Sequence, residues 1–191
     1  MHPENVKASL LAIASSDLKN GRIIPALPIF EGLSKSDDFL MRGDAIVGLA
    51  NALGWLPSPD SLNVKRQTLE GLLADEKTCK PKTVFQANVQ THLAETYTSM
   101  RQYDKAYDML KDATAIYFDQ GVHKRREVAI YLQGALAVVN GRFDEALQKI
   151  NDASTFGMID IPSFPPANWF TSEPPTEQQI EHNSVVALAS S

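Results

Sequence analysis

Gln102-Tyr103-Asp104-Lys105-Ala106, followed by Leu110 and Ala113, and Arg142-Phe143-Asp144-Glu145-Ala146, followed by Ile150 and Ala153, are the stretches that decide the fold. Aromatic residue, acid, charged residue, alanine, aliphatic residue and alanine recur at identical spacing, 40 residues apart. Upstream, Ala94 corresponds to Gly134 and Tyr97 to Ala137. A fainter third copy reads Gly21-Arg22-Ile23, Ala26, Phe30 and Leu33, with Ala14 before it. Ile23 lies 80 residues before Tyr103, twice the same interval. Apolar residues three and four apart mark one face of a helix. The small residues are informative because a bulky side chain at a helix crossing pushes the axes beyond their usual separation of about 8–10 Å.

Outward from these stretches the chain reads as helices throughout. The first expected helix runs from about Glu4 to Lys19 and is stopped by Asn20-Gly21, since glycine tolerates the left-handed conformation at a helix end. The second carries Ala26, Ile29, Phe30 and Leu33; Pro25 suits a first turn, and Pro28 predicts a late or tight start. Ser36 is the expected N-cap of the third helix, with Asp37 and Asp38 at its positive end. Ser58 is the expected cap of the fourth, with Pro59 in its first position. Lys80-Pro81 marks the next boundary. Further helices are expected from about Lys82 to Met100, Tyr103 to Phe118, Lys124 to Val139 and Asp144 to Thr155, with Gly121, Asn140-Gly141 and Gly157 as stops. No stretch shows sustained strand-type alternation.

The matched positions resemble the tetratricopeptide repeat (TPR). In that family one small residue in the first helix and two in the second let paired helices approach, and an aromatic at the turn packs into the joint. Here the triads are Ala94, Ala106 and Ala113, and Gly134, Ala146 and Ala153. The resemblance is good over Thr91–Thr155, weaker in the first hairpin and poor in the second. The interval of 40 exceeds the usual period of about 34 residues, which predicts longer helices or loops. The signature tryptophan and the closing proline are absent. The resemblance implies an all-α fold: a right-handed superhelical stack of about four antiparallel hairpins over residues 1–157, a TPR-like α-solenoid. The plain alternative is a helical bundle with two similar hairpins, because binary patterning makes amphipathic hairpins look alike.

Residues 158–191 differ in character. Five of the 11 prolines fall there, with Phe164, Trp169 and Phe170, and Thr176 is a candidate cap for a short terminal helix. No Lys or Arg follows Lys149, while Asp152, Asp160, Glu173, Glu177 and Glu181 do, so the end of the chain carries the whole net charge of −5. Burying one aromatic removes roughly 150–250 Å² from water. That is too little to order a ten-residue stretch when each fixed residue costs about 1–2 kcal/mol. Three anchors together change the balance, so Phe164, Trp169 and Phe170 are candidates to dock on the repeats or on a second copy, giving a homodimer. The alternative is a disordered tail that recruits something else.

An acidic chain is not expected to bind nucleic acid or anionic lipid by bulk charge. No apolar run approaches the roughly 20 residues of a membrane span, and His2-Pro3-Glu4 after Met1 does not read as a signal peptide. A single cysteine, Cys79, excludes an internal disulfide framework and fits a reducing compartment, so a cytoplasmic location is expected. Cys79 lies at a helix end beside Lys77 and Lys80, which would lower its pKa somewhat, but the expected reading is an ordinary, partly exposed thiol. His92 and Glu95 share a helix face, a polar pair rather than a metal site. No phosphate loop, nucleophile elbow or other catalytic set occurs, and no cofactor or metal is expected. His123-Lys124-Arg125-Arg126 is the one basic cluster, suited to an acidic partner, to the chain's own tail or simply to solvent.

The expected function is therefore protein–protein interaction, as an adaptor or chaperone-like module without enzymatic activity. The alternative is a structural subunit of a multiprotein assembly such as a secretion apparatus. The resemblance places the first helix of each hairpin on a concave face. The peptide-binding candidates are then Leu11 and Ser15; Ala45, Leu49 and Ala52; Asn88, Thr91, Glu95 and Thr98; and Val128, Tyr131, Ala135 and Val138. A mostly apolar groove with a polar middle suits an extended or helical peptide.

Overall fold

A computed structural model describes residues 3–154; the anchors Phe164, Trp169 and Phe170 and the candidate terminal helix lie outside these. The described residues form α1 (Pro3–Lys19), α2 (Ile23–Leu33), α3 (Phe39–Gly54), α4 (Ser61–Ala74), α5 (Val84–Ser99), α6 (Tyr103–Asp119), α7 (His123–Val139) and α8 (Phe143–Ser154), with no strand among them. They fall into two compact units, residues 3–79 with α1–α4 and residues 80–154 with α5–α8.

In the second unit the repeat interval has a simple origin. α6 and α7 each have 17 residues, and each link between helices has three. Helix length, not loop length, stretches the period to 40. The links share one geometry. Gly121 and Gly141 have φ of +68° and +72°. Beyond them the N–H of Val122 reaches the carbonyl of Tyr117, and that of Arg142 reaches Ala137, both at 2.8 Å. This closes the helix end in the Schellman manner. The α5–α6 link has the same bond, Gln102 to Tyr97 at 2.8 Å, but Arg101 takes the left-handed position at φ +60°.

The small residues sit at crossings as expected. Ala94, Ala106, Ala113, Ala146 and Ala153 are all buried. A Cβ placed on Gly134 would lie 3.1 Å from Ile150 and 3.3 Å from the backbone oxygen of Ala146, which measures how closely α7 and α8 approach. Gln133 is buried and ties α7 to α6, its Nε2 donating to the Leu110 carbonyl at 3.1 Å and to Thr114 Oγ1 at 2.7 Å.

The first unit is less regular. Its core gathers Ala14, Leu18, Ala26, Phe30, Leu33, Ala45 and Ala52. The Phe30 ring lies so close to α3 that a Cβ on Gly48 would meet it at 2.3 Å. α2 starts at Ile23 and keeps Pro28 inside it, earlier than the prolines suggested. Pro28 cannot donate to the carbonyl of Ile24. Both residues are exposed, so the orphan oxygen lies on the solvent side of the helix, where its loss of a partner costs least. Two caps also differ from expectation. α3 is capped by Asp38, which accepts from the N–H groups of Leu40 and Met41 at 2.9 and 3.0 Å. Ser36 instead accepts from Asp38 N–H, and Ser58 from Asp60 N–H, each one turn before its helix. α4 therefore begins at Ser61, with Pro59 in the preceding turn.

Candidate functional site

A side-chain network on α5 joins the end of α6 and the start of α7 in the second unit. Asn88, Thr91 and Glu95 lie three and four residues apart on α5 and are all half-buried. Tyr117, near the end of α6, donates from Oη to Asn88 Oδ1 at 2.9 Å. Arg125, on the first turn of α7, donates to the same oxygen. Thr91 Oγ1 donates to the Ala87 carbonyl at 2.9 Å and lies 3.2 Å from Tyr117 Oη. Two hydroxyl protons serve three contacts, so one contact is always without a proton. Burial pushes the Tyr117 phenol above its ordinary pKa, which keeps it a donor. Gln120 Nε2 closes the end of this face by donating to the Lys82 carbonyl at 3.2 Å.

The carbonyl of Asn88 is thus fixed from two sides. Its amide Nδ2, with two N–H donors, has no partner among the described residues. On α7, Val128 is 37 % exposed one turn after Arg125, and Tyr131 and Val138, further along the helix, are half-buried. His92 Nδ1 lies 3.2 Å from Glu95 Oε2, the polar pair read from their spacing. Among the described residues no three His, Cys, Asp or Glu side chains gather as a metal site would require.

The expected inner-face residues divide by burial. Asn88, Thr91, Glu95, Val128, Tyr131 and Val138 have accessible surface. Thr98 and Ala135 are buried, and Thr98 spends its hydroxyl on the Ala94 carbonyl at 2.7 Å. In the first unit Ala45 and Ala52 are buried, while Leu11 and Leu49 pack half-buried against the same core and Ser15 is half-buried. Six of the eight second-unit positions thus keep accessible surface.

Two expectations about other residues are corrected. Cys79 is buried rather than partly exposed, and burial together with the Asp75 charge pushes its thiol up to about 11, against any lowering by the nearby lysines. Phe143, the first residue of α8, does not fill a joint but is 68 % exposed. Of the basic cluster, Arg125 is engaged by Asn88 and Arg126 stacks 5.0 Å from the Phe118 ring centre. Sequence reasoning did not find the groove of about 310 Å³ between α6, α7 and α8, lined by Lys111, Phe118, Arg126 and Lys149 among others. No helix among the described residues is long and apolar enough to cross a membrane.

No protein-family model matches the chain, and no curated protein does. Solved structures do match. A crystal structure from Podosopora anserina, described as a putative kinesin light chain with nearly identical TPR-like repeats, superposes with a TM-score of 0.65 at 18 % identity. The match covers 98 % of this chain and 96 % of that one, and a point-substituted form of the same protein gives the same values. At that identity the likeness is one of architecture, and the architecture of this chain is the TPR-like helical repeat.

Proposed function

We propose that the chain is a protein-binding adaptor whose second unit takes a peptide segment of its partner on the α5–α7 face. TPR-like folds are generally protein–protein interaction modules, which supports the class. One observation supports the face: the Asn88 amide is oriented by Tyr117 and Arg125 and keeps its two donors for a ligand. A side-chain amide held in this way grips a peptide carbonyl without losing entropy on binding. Val128, Tyr131 and Val138 would supply apolar contact along α7, Glu95 and Thr91 a polar middle, and Arg125 a preference for an acidic residue in the ligand. The fixed donors serve binding rather than catalysis, and the buried single cysteine fits a reducing, cytoplasmic setting.

The test is selection of peptides from a random displayed library on the full chain. Asn88→Ala and Val128→Asp are each expected to weaken the selected peptides at least tenfold, with the helical circular dichroism unchanged. Selected peptides that bind both variants as tightly as the parent would refute the assignment of this face.

A further inference from the structure

α8 carries an apolar stripe whose Phe143 and Leu147 lie open among the described residues, while Ile150 packs partly against Gly134 of α7. Phe143, Leu147 and Ile150, spaced four and three apart, share one face and are 68, 62 and 37 % exposed. The preceding hairpin shows what this face is for. Forty residues earlier the same positions are Tyr103, Tyr107 and Leu110 of α6. There α7 and α8 close over the helix. Leu110 is 1 % exposed, Tyr107 donates to Glu145, and the Arg142 guanidinium lies 4.4 Å from the Tyr107 ring centre. In α8 the places of the two tyrosines are taken by Phe143 and Leu147, a more apolar pair, yet the face lies open.

We propose that the occupant is the chain's own C-terminal segment, residues 158–191, with Phe164, Trp169 and Phe170 packed on Phe143, Leu147 and Ile150. This goes beyond the peptide-binding reading and uses a different helix. Three arguments favour it. The segment begins just beyond the end of α8, with three residues in between. Ten residues separate Ser154 from Phe164, a reach of roughly 30 Å when extended, while Leu147 lies only about 10 Å back along the helix. The segment is also apolar where it must be: Met158, Ile159 and Ile161 precede the three aromatics. Its acids, Asp160, Glu173, Glu177 and Glu181, are opposite in sign to Lys111, Arg126 and Lys149, which line the groove between α6, α7 and α8.

Area decides against a second copy. The stripe offers roughly 300 Å², whereas a stable interface needs about 800 Å² from each partner. A tethered segment acts at an effective concentration of about a millimolar and needs far less.

The experiment uses the full chain carrying Trp55→Phe, which leaves Trp169 as the one tryptophan. Its emission is expected to be blue-shifted and shielded from acrylamide. Adding Leu147→Asp is expected to shift it to the red and raise quenching severalfold, with amide exchange of α5 and α6 unchanged. Should that variant loosen the α7–α8 hairpin, Phe164→Ser with Phe170→Ser removes the contact from the other side and is expected to speed exchange along α8 alone. Emission typical of free indole in the parent overturns the proposal. So does shielding that survives Leu147→Asp, or shielding lost on dilution as sedimentation reports a dimer dissociating.

Discussion

Arg101 occupies a backbone position that two sister links in its unit give to glycine, at φ +60°. A side chain there costs about 1–2 kcal/mol, partly returned by its other contacts. Arg101→Gly is therefore expected to stabilise the chain by up to about 1 kcal/mol, read from the denaturation midpoint at unchanged m-value. Tyr107 makes a second case. Burial, with its hydrogen bond to Glu145, pushes its phenol up to about 12. The folded state thus favours the neutral form. Its contribution is complete below the unfolded value of about 10 and is lost as pH rises from there to about 12. Stability of the parent is expected to fall more steeply than that of Tyr107→Phe across that window, in denaturation curves at stepped pH. At this scale Asn88 and Thr91 were legible from helical register. Tyr117 was not, because the residue 40 positions later is Gly157 and the repeat carries no trace of it.

Elements were read best where the repeat is regular. The helices of the second unit begin and end within two residues of the positions their apolar spacing and glycine stops predict. The small triads were legible because burial at a crossing restricts side-chain size whatever the rest of the helix does. Ala146→Leu is expected to cost about 1–3 kcal/mol by forcing α7 and α8 apart, measured by thermal or urea unfolding. The first unit was harder for a physical reason. Its links span residues 34–38 and 55–60, so the period slips, and hydroxyls that looked like caps serve turns one step earlier. The close approach of Phe30 to Gly48 leaves no pattern in either helix alone. Gly48→Ala is expected to destabilise by about 1–3 kcal/mol, since the ring that must move is itself buried.

At the scale of the molecule, two compact units predict that stability is not uniform. Gly48→Ala is expected to accelerate amide exchange in α1–α4 well before α5–α8, seen by mass spectrometry of peptic fragments; equal acceleration throughout would show one cooperative block. The all-helical, TPR-like architecture was legible from two stretches 40 residues apart, because repeats write the same packing rule twice. What a single sequence does not repeat, such as the partner, leaves no such signature. The long helices have one last effect. Against the usual period of about 34 residues, the interval of 40 adds about six, or about three to each of the 17-residue helices α6 and α7, which lengthens each by about 4.5 Å. A peptide lying along α7 on the proposed binding face is therefore expected to be longer by nearly a helical turn than one sized for a period of about 34 residues.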